Sequence, residues 1–136
     1  MENRTNQILY EINEEAAKYN CLRLFSNQGK AAISWLNGLG ISKDTIKRFS
    51  LGYTGKERRG LVSYLNDLGY QDEQIIEAGL ADNTERGIED RFRDRIMISI
   101  KDDEYRVIGF LGRRIVDGSS IYSISPDNSI LEKNRN

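Results

Sequence analysis

Three arginines at alternate positions, Arg91, Arg93 and Arg95, are the residues of this sequence with the most distinctive chemistry. Side chains in a β-strand alternate between two faces, so a strand here would place all three on one face. The other face would be apolar, apart from Asp94, and would comprise Phe92, Ile96, Ile98 and Ile100. Guanidinium groups this close repel one another unless carboxylates or phosphates lie between them.

The charge of these arginines allows two interpretations. In the first, they pair within the protein with Asp90, Asp94 or an acidic first helix. In the second, they form a shallow cationic track for a nucleic-acid backbone, extended by Arg106, Arg113 and Arg114. Arginine rather than lysine dominates the group, which favours bidentate contacts with phosphate. The residues alone leave both interpretations open.

Composition excludes several kinds of active site. A length of 136 residues suits one domain, and the absence of histidine removes serine–histidine triads and histidine-ligated metals. The one cysteine, Cys21, cannot form an internal disulfide or a multi-cysteine zinc site, and it fits a reducing cytoplasm. The net charge of −1 excludes a histone-like basic protein, and short apolar runs predict no membrane span or signal peptide.

Two other motifs contain residue types that occur in binding sites. Asp102, Asp103 and Glu104 lie in a polar turn, where solubility explains them, although clustered carboxylates can also bind a hard cation. Gly109 and Gly112 are too close together for a phosphate-binding loop and favour a bulge or a close backbone approach. We therefore expect no catalytic residue, metal or cofactor within the segment itself.

The arginine-rich stretch predicts a β-hairpin with strands at 91–100 and 105–115 and a turn at 101–104. A turn at Asp117–Gly118 introduces a third short strand, which Pro126 ends. Upstream, the spacing of apolar residues predicts an amphipathic first helix over about 7–25. The residues of its buried stripe are Leu9, Ile12, Ala16, Tyr19 and Leu22.

Two shorter helices follow the first. One covers about 30–37 and stops at Gly38 or Gly40, and Ser42 is the N-cap of the next, which ends near Phe49. The sequence then repeats itself at a constant offset. Leu36, Leu39, Ile46 and Leu51 match Leu65, Leu68, Ile75 and Leu80, and Gly40 matches Gly69.

Each copy of the repeat predicts a helix, a glycine turn, a short helix and an apolar residue that closes the unit. The favoured interpretation is two similar helical hairpins in one small bundle, because stacked repeat proteins usually need three copies. A helix-turn-helix DNA reader is the alternative. It is weakly supported, since Lys47 and Arg48 of the first copy become Ile76 and Glu77 in the second.

These elements predict an α+β fold with one domain over 1–136. A helical part at 6–80, with four to five short helices, packs on a small, mainly antiparallel sheet that comprises the hairpin and third strand at 91–124. Residues 81–90 are polar and are predicted to connect the two parts. Residues 127–136 are also polar and contain no closing element, from which we expect a chain cut at a subdomain boundary.

Several segments of the sequence, taken in their order along the chain, resemble the first part of the RNA polymerase domain of bacterial DnaG-type DNA primases. In the strand region these are Arg91–Ile100 (RFRDRIMISI), Arg106–Arg113 (RVIGFLGR), Tyr122–Pro126 (YSISP) and Lys133–Arg135 (KNR). In the helical part they are Gly29–Ala32 (GKAA), Gly40–Phe49 (GISKDTIKRF) and Leu51–Tyr53 (LGY). The resemblance therefore runs from the helices to the C-terminus.

The resemblance implies the N-terminal subdomain of a primase catalytic core, in a protein that makes short RNA primers for DNA replication. In that family a zinc-binding domain precedes this region, and a Toprim subdomain with Mg²⁺-binding carboxylates follows it. The expected partners are single-stranded DNA template, nucleoside triphosphates, RNA primer and, through other regions, the replicative helicase. By matching position, Arg91, Arg93, Arg95, Arg113 and Lys133 belong to the basic surface that binds nucleic acid or nucleotide. Without Toprim, the segment is expected to be inactive.

Three positions depart from the family pattern. Leu39 stands where the family has an arginine, Ile121 where it has a lysine implicated in catalysis, and Ser99 where it has a proline. The departures favour a divergent primase, from a phage or mobile element, or one with a weakened catalytic role. Two alternatives follow: a non-catalytic, primase-like module that binds single-stranded nucleic acid, and a helical protein-interaction domain with internally paired arginines.

Overall fold

The helices lie in the first part of the chain, up to residue 77, and five of the six described strands lie after residue 80. The sequence predicts this order. The computed structural model describes residues 4–114 and 122–124, and within them the helices pack against a small antiparallel sheet. The α-helices are α1 (Arg4–Leu24), α2 (Lys30–Gly38), α3 (Lys43–Arg48), α4 (Gly60–Asp67) and α5 (Asp72–Glu77). The strands are β1 (Gly52–Tyr53), β2 (Ala81–Thr84), β3 (Gly87–Asp90), β4 (Arg95–Lys101), β5 (Val107–Arg114) and β6 (Tyr122–Ile124). The α+β prediction is confirmed.

α1 is the element against which both parts of the chain pack, since it contacts α4 and α5 as well as β1 and β5. Ile12 and Ala16 are fully buried, as their spacing predicts. The prediction for Leu22 is wrong, because its side chain is 69% exposed. The buried stripe instead continues through Asn20 to Leu24 at intervals of four residues, which turns Leu22 outward.

The sequence repeat produces two helical hairpins of similar shape, α2–α3 and α4–α5. Each has a left-handed glycine between its helices, Gly40 with φ +83° and Gly69 with φ +101°. Ser42 caps α3 as predicted, with its Oγ accepting a hydrogen bond from the Thr45 amide at 3.2 Å. Three of the four equivalent apolar pairs are buried in both copies, namely Leu36 and Leu65, Ile46 and Ile75, and Leu51 and Leu80, whereas Leu39 and Leu68 are exposed in both.

The two hairpins do not form the single bundle that the repeat predicts. The major core contains α1 residues together with Leu65, Ile75 and Leu80. The minor core consists of Leu24, Ala32, Leu36, Ile46, Leu51, Tyr53 and Ile96. β4 contributes to both, since Ile96 lies in the minor core and its neighbour Met97 in the major core. Successive side chains of a strand point to opposite faces, so β4 divides the two cores.

The larger sheet has the antiparallel order β1-β4-β5-β6. The predicted hairpin is present as β4–β5, with Ile98 opposite Leu111 and a register shift at Ile100–Lys101. The predicted third strand is present as β6, which pairs with β5. β1 was not predicted; it is two residues long and pairs with β4. The predicted turn at 117–118 and Pro126 lie outside the described residues.

The first strand of the hairpin begins at Arg95 rather than Arg91, so the predicted strand over 91–94 is wrong. Asp94 has φ +55°, a left-handed conformation that interrupts a strand but that aspartate tolerates better than most residues. Its amide donates to the Gly55 carbonyl at 2.6 Å, and its carboxylate accepts a 2.7 Å hydrogen bond from the Tyr53 hydroxyl. These tertiary contacts explain the one polar residue on the predicted apolar face.

Residues 81–90 form a second hairpin, β2–β3, rather than the connection that was predicted. Asp82 lies opposite Glu89 in this two-stranded sheet. At the turn, Thr84 Oγ1 accepts the Arg86 amide at 3.1 Å, and Gly87 has φ +101°. The strands carry few apolar residues, so their sequence lacks the alternation from which a strand is predicted.

No α-helix within residues 4–114 is both long enough and apolar enough to cross a membrane.

Candidate nucleic-acid interface

The β2–β3 hairpin supplies carboxylates to two of the three central arginines. Arg91 Nη2 lies 2.6 Å from Asp82 Oδ1. Arg93 lies 3.8 Å from Glu89, and that carboxylate is closer to Arg58, at 2.8 Å. Arg91 is therefore held in a close ion pair, whereas Arg93 shares the already paired Glu89 at longer range and also interacts electrostatically with Asp90, one of the predicted partners. The predicted partners did not include Asp82 or Glu89, because the hairpin that carries them was not predicted.

Arg95, unlike Arg91 and Arg93, has no carboxylate partner among the described residues. It lies directly opposite Arg114 across β4–β5, so two positive charges share one face of the sheet. Its Nη1 atom is buried and has no hydrogen-bond partner within residues 4–114 and 122–124. Burial and, to a smaller extent, the charge of Arg114 lower the pKa of Arg95 below its usual value. The Arg95 guanidinium is thus positioned where an anion would stabilise it.

The backbone around Arg95 is fixed. The Arg95 amide donates to Thr54 Oγ1 and its carbonyl accepts the Thr54 amide, both at 3.1 Å. Gly112 leaves room for the side chain, because a Cβ there would lie 3.1 Å from Arg95 Cδ and 2.8 Å from a ring carbon of Phe92. Gly112 thus allows side chains to pack closely against β5, whereas the predicted alternatives were a bulge or a close approach of the backbone.

Arg113 lies on the opposite face of the sheet from Arg95. It is in register with Ile96, and its guanidinium stacks over the Trp35 ring with 4.6 Å between the Cζ atom and the ring centroid. Trp35 packs against the minor core, so α2 orients this arginine. Arg95 and Arg113 therefore lie on opposite faces of the β4–β5 hairpin. Arg91 and Arg93 precede β4, so the prediction that Arg91, Arg93 and Arg95 share one strand face is wrong.

The other residues that the sequence singled out have separate positions. Arg106 is 2.8 Å from Asp102 and lies over the Tyr10 ring, at the turn end of the hairpin and away from Arg95. Leu39 follows α2 and is 53% exposed. Ser99 is half-buried and its Oγ donates to the Ser50 carbonyl at 3.4 Å. Lys133 and Ile121 lie outside the described residues.

Two buried residues support this surface from beneath: Tyr53, which the sequence did not single out, and Asp90, which it predicted only as a partner of the arginines. Tyr53 is buried beside Asp94, and burial together with the hydrogen bond to that carboxylate raises the Tyr53 pKa above its usual value. Asp90 is buried, and its oxygens accept the Leu61 and Val62 amides at 2.9 Å. Burial raises the Asp90 pKa, although these amides oppose the shift. The available signal was Asp94 itself, a polar residue within an apolar alternation.

Comparison with known proteins places this surface in a family. The family model for the N-terminal domain of the DNA primase catalytic core matches residues 19–136. The chain is 39% identical to DNA primase of Clostridium acetobutylicum over 128 residues, which are 94% of this chain and 21% of that protein. It is 35% identical to DNA primase of Deinococcus radiodurans over 132 residues, 96% of this chain and 22% of that protein. The chain thus spans about a fifth of the length of these relatives.

Solved structures give the same result. The RNA polymerase domain of Mycobacterium tuberculosis primase, in complex with a double-stranded DNA that has a 6-nucleotide overhang, superposes with a TM-score of 0.86 at 25% identity, over 96% of this chain and 41% of that chain. A DnaG primase catalytic domain bound to single-stranded DNA gives 0.85 at 27% identity, over 93% and 39%. The zinc-binding and RNA polymerase domains of Aquifex aeolicus primase give 0.75 at 30% identity, over 95% and 32%.

Proposed function

Because this chain belongs to the family of the DNA primase catalytic core, N-terminal domain, we propose that it is part of an enzyme that makes RNA primers for DNA replication in the cytoplasm. Its own contribution is a wall of the cleft that holds the single-stranded DNA template close to nucleoside triphosphates and the growing primer. Primer synthesis then depends on regions outside this segment, and the segment alone is inactive. Contact with the replicative helicase is also assigned to those other regions.

The observation that carries this proposal is the uncompensated charge of Arg95. A buried guanidinium nitrogen without a hydrogen-bond partner in the described residues, opposite a second arginine, is costly to the fold. A phosphate oxygen would satisfy both the hydrogen bond and the charge, and guanidinium groups bind phosphate in a bidentate manner. Both of the DNA complexes described above are similar to this chain, and one of them contains single-stranded DNA.

The other proposed contacts with nucleic acid or nucleotide are Arg91, Arg93, Arg113 and Lys133. Stacking on Trp35 presents Arg113 in a fixed orientation. Arg93 is available to phosphate because its carboxylate neighbour, Glu89, is bound more closely by Arg58. Arg91 would have to share its charge with Asp82, so we expect the smallest contribution from it.

The metals of the family belong to other domains in this proposal: Mg²⁺ to Toprim and Zn²⁺ to the zinc-binding domain. Within residues 4–114 and 122–124, no three histidine, cysteine, aspartate or glutamate side chains converge in a way that could hold a metal ion. The described residues therefore do not fit either metal, and we derive no metal-dependent step from them.

The test is fluorescence anisotropy of a labelled single-stranded DNA of about 16 nucleotides, at several salt concentrations. We expect Arg95→Gln to weaken binding several-fold and to reduce the salt slope by about 1, because one phosphate contact is lost. Arg4→Gln is the matched control, since it removes the same charge at the far end of α1, about 30 Å from the β1 end of that helix. Unchanged affinity and salt slope in a folded Arg95→Gln variant would contradict the proposal.

Leu39 supports a second candidate, a primase-like module that binds single-stranded nucleic acid without catalysing primer synthesis. The side chain is exposed, so the arginine found there in the family would be free to contact a ligand. Leu39→Arg is then expected to strengthen binding to single-stranded DNA by a few-fold. Primer synthesis by the intact parent protein distinguishes the two candidates, since the module would yield no primer with or without this substitution.

A further inference from the structure

A groove beside the turn of the β4–β5 hairpin combines exposed aromatic and basic side chains. It has a volume of about 420 Å³ and is lined by Arg48, Phe49, Ser99, Lys101, Asp102 and Tyr105. The groove lies at the Lys101 end of β4, whereas Arg95 lies at the other end. At the rise of a β-strand, those two ends are separated by about 20 Å.

The side chain of Tyr105 points largely into solvent. The side chain is 79% exposed, and the residue has φ +64°, a conformation that glycine or asparagine adopts at lower cost. The turn around it is fixed, because Asp102 Oδ1 accepts the amides of Glu104 and Arg106, both at 2.9 Å. A rigid turn thus presents an aromatic ring to solvent.

Phe49 brings a second ring to the same groove from the end of α3. It is 56% exposed, and its amide donates to the Thr45 carbonyl at 3.0 Å, which fixes the backbone. Lys101 Nζ donates to Ser50 Oγ at 3.1 Å and so ties the residue after Phe49 to β4. The two rings are therefore carried by elements that are bonded to each other.

The charge of the groove is nearly balanced. Arg48 and Lys101 are cationic, but Asp103 and Glu104 follow in the same turn, and the Asp102 carboxylate is neutralised by Arg106 at 2.8 Å. Phosphate attraction alone would be weak here. Aromatic side chains bind unpaired bases by stacking, which needs little net charge and tolerates any sequence.

We propose that Phe49 and Tyr105 form a stacking subsite for unpaired bases of single-stranded nucleic acid, at the opposite end of β4 from Arg95. This proposal rests on the function proposed above and extends it. A single nucleic-acid strand would contact phosphate-binding arginines at one end of the β4–β5 hairpin and aromatic rings at the other end. The basic side chains of Arg48 and Lys101 accompany the rings as partners for the adjacent phosphates.

The experiment compares Tyr105→Asn and Phe49→Leu in the 136-residue chain, with the labelled DNA of about 16 nucleotides used for Arg95. Each variant is expected to weaken binding about tenfold without changing the salt slope, because a base stack is lost and the phosphate contacts are kept. Asparagine tolerates φ > 0, so the thermal unfolding midpoint of Tyr105→Asn is expected to stay the same or rise. Phe25→Leu is the control, since Phe25 is an exposed phenylalanine beside Lys43 that does not line the groove.

A blunt DNA duplex of the same length separates stacking from general attraction, because its bases are already stacked. We expect both variants to bind the duplex as the wild type does. Affinity for single strands within twofold of the wild type, or an equal loss for single strands and duplex, would overturn the subsite. If Tyr105→Asn binds single-stranded DNA more weakly while Arg95→Gln binds it as the wild type does, the stacking subsite is supported and the proposed contact of Arg95 with phosphate is contradicted.

Discussion

The helical hairpins α2–α3 and α4–α5 have matching backbones, yet they are fixed to the rest of the molecule in different ways. The first turn of α4 is capped by a carboxylate that is distant in the sequence, since Asp90 accepts hydrogen bonds from the amides of Leu61 and Val62. α2 is fixed locally, through the short 3₁₀ helix Asn27–Gly29, where a Cβ on Gly29 would lie 2.0 Å from the Leu24 carbonyl oxygen. Repetition in the sequence therefore reproduces the turn and its apolar contacts but not the attachment.

The cores on which the hairpins pack differ as well. α4–α5 joins α1 in the major core, whereas α2–α3 packs with Tyr53 and Ile96 in the minor core. The minor core borders Trp35 and therefore Arg113, while the major core contains Phe92 next to Arg95. The first copy of the repeat thus supports the face of the β4–β5 hairpin that carries Arg113, and the second copy supports the face that carries Arg95. Substitutions in either core test this arrangement.

The largest effects are expected from truncating the equivalent core residues Ile46 and Ile75, both fully buried. Each isoleucine-to-alanine change should lower the free energy of unfolding by about 3 kcal/mol, because burial is lost and a cavity remains. The milder changes Ile46→Val and Ile75→Val should each cost about 1 kcal/mol and should add within about 0.5 kcal/mol when combined. Urea denaturation followed by circular dichroism measures all of these values. A coupling above that margin would show that the two cores act as one.

A medium effect is expected from the caps. Asp90→Ala removes the acceptor for two buried amides and should cost about 2 kcal/mol, whereas Ser42→Ala, which removes the local cap of α3, should cost about 1 kcal/mol. Asp82→Ala is the control for a lost carboxylate, and its exposed ion pair predicts a cost below about 1 kcal/mol. Equal losses for Asp90 and Ser42 would contradict the expectation that a distant carboxylate contributes more to a helix start than a local cap does.

The smallest effect concerns the residue that follows each hairpin. Ser50 has φ +52° where the second copy has Gly79 with φ +83°. Ser50→Gly should therefore raise the free energy of unfolding by about 0.5 kcal/mol, and Gly79→Ser should lower it by about 1 kcal/mol. Thermal unfolding of both variants gives the comparison. Shifts of the same sign would mean that the two positions are not equivalent.

Local patterns in the sequence were sufficient to predict the helices, the Ser42 cap, the repeat, the β4–β5 hairpin and the third strand. Each of these depends on residues close together in the chain, such as a glycine at a left-handed turn or apolar side chains at a helical period. The segments that resemble primases also predicted the family, and the family model that matches residues 19–136 confirms it.

Only the tertiary structure decided which arginines are paired. The acids Asp82 and Glu89 lie on short strands with few apolar residues, and cross-strand hydrogen bonds rather than sequence pattern define those strands. The left-handed Asp94 ends the predicted strand because Tyr53 and Gly55, far away in the chain, bind it. Charge pairing and strand ends depend on such long-range contacts. For this reason the sequence predicted the arginines as a group, and the fold separated Arg95 from its neighbours.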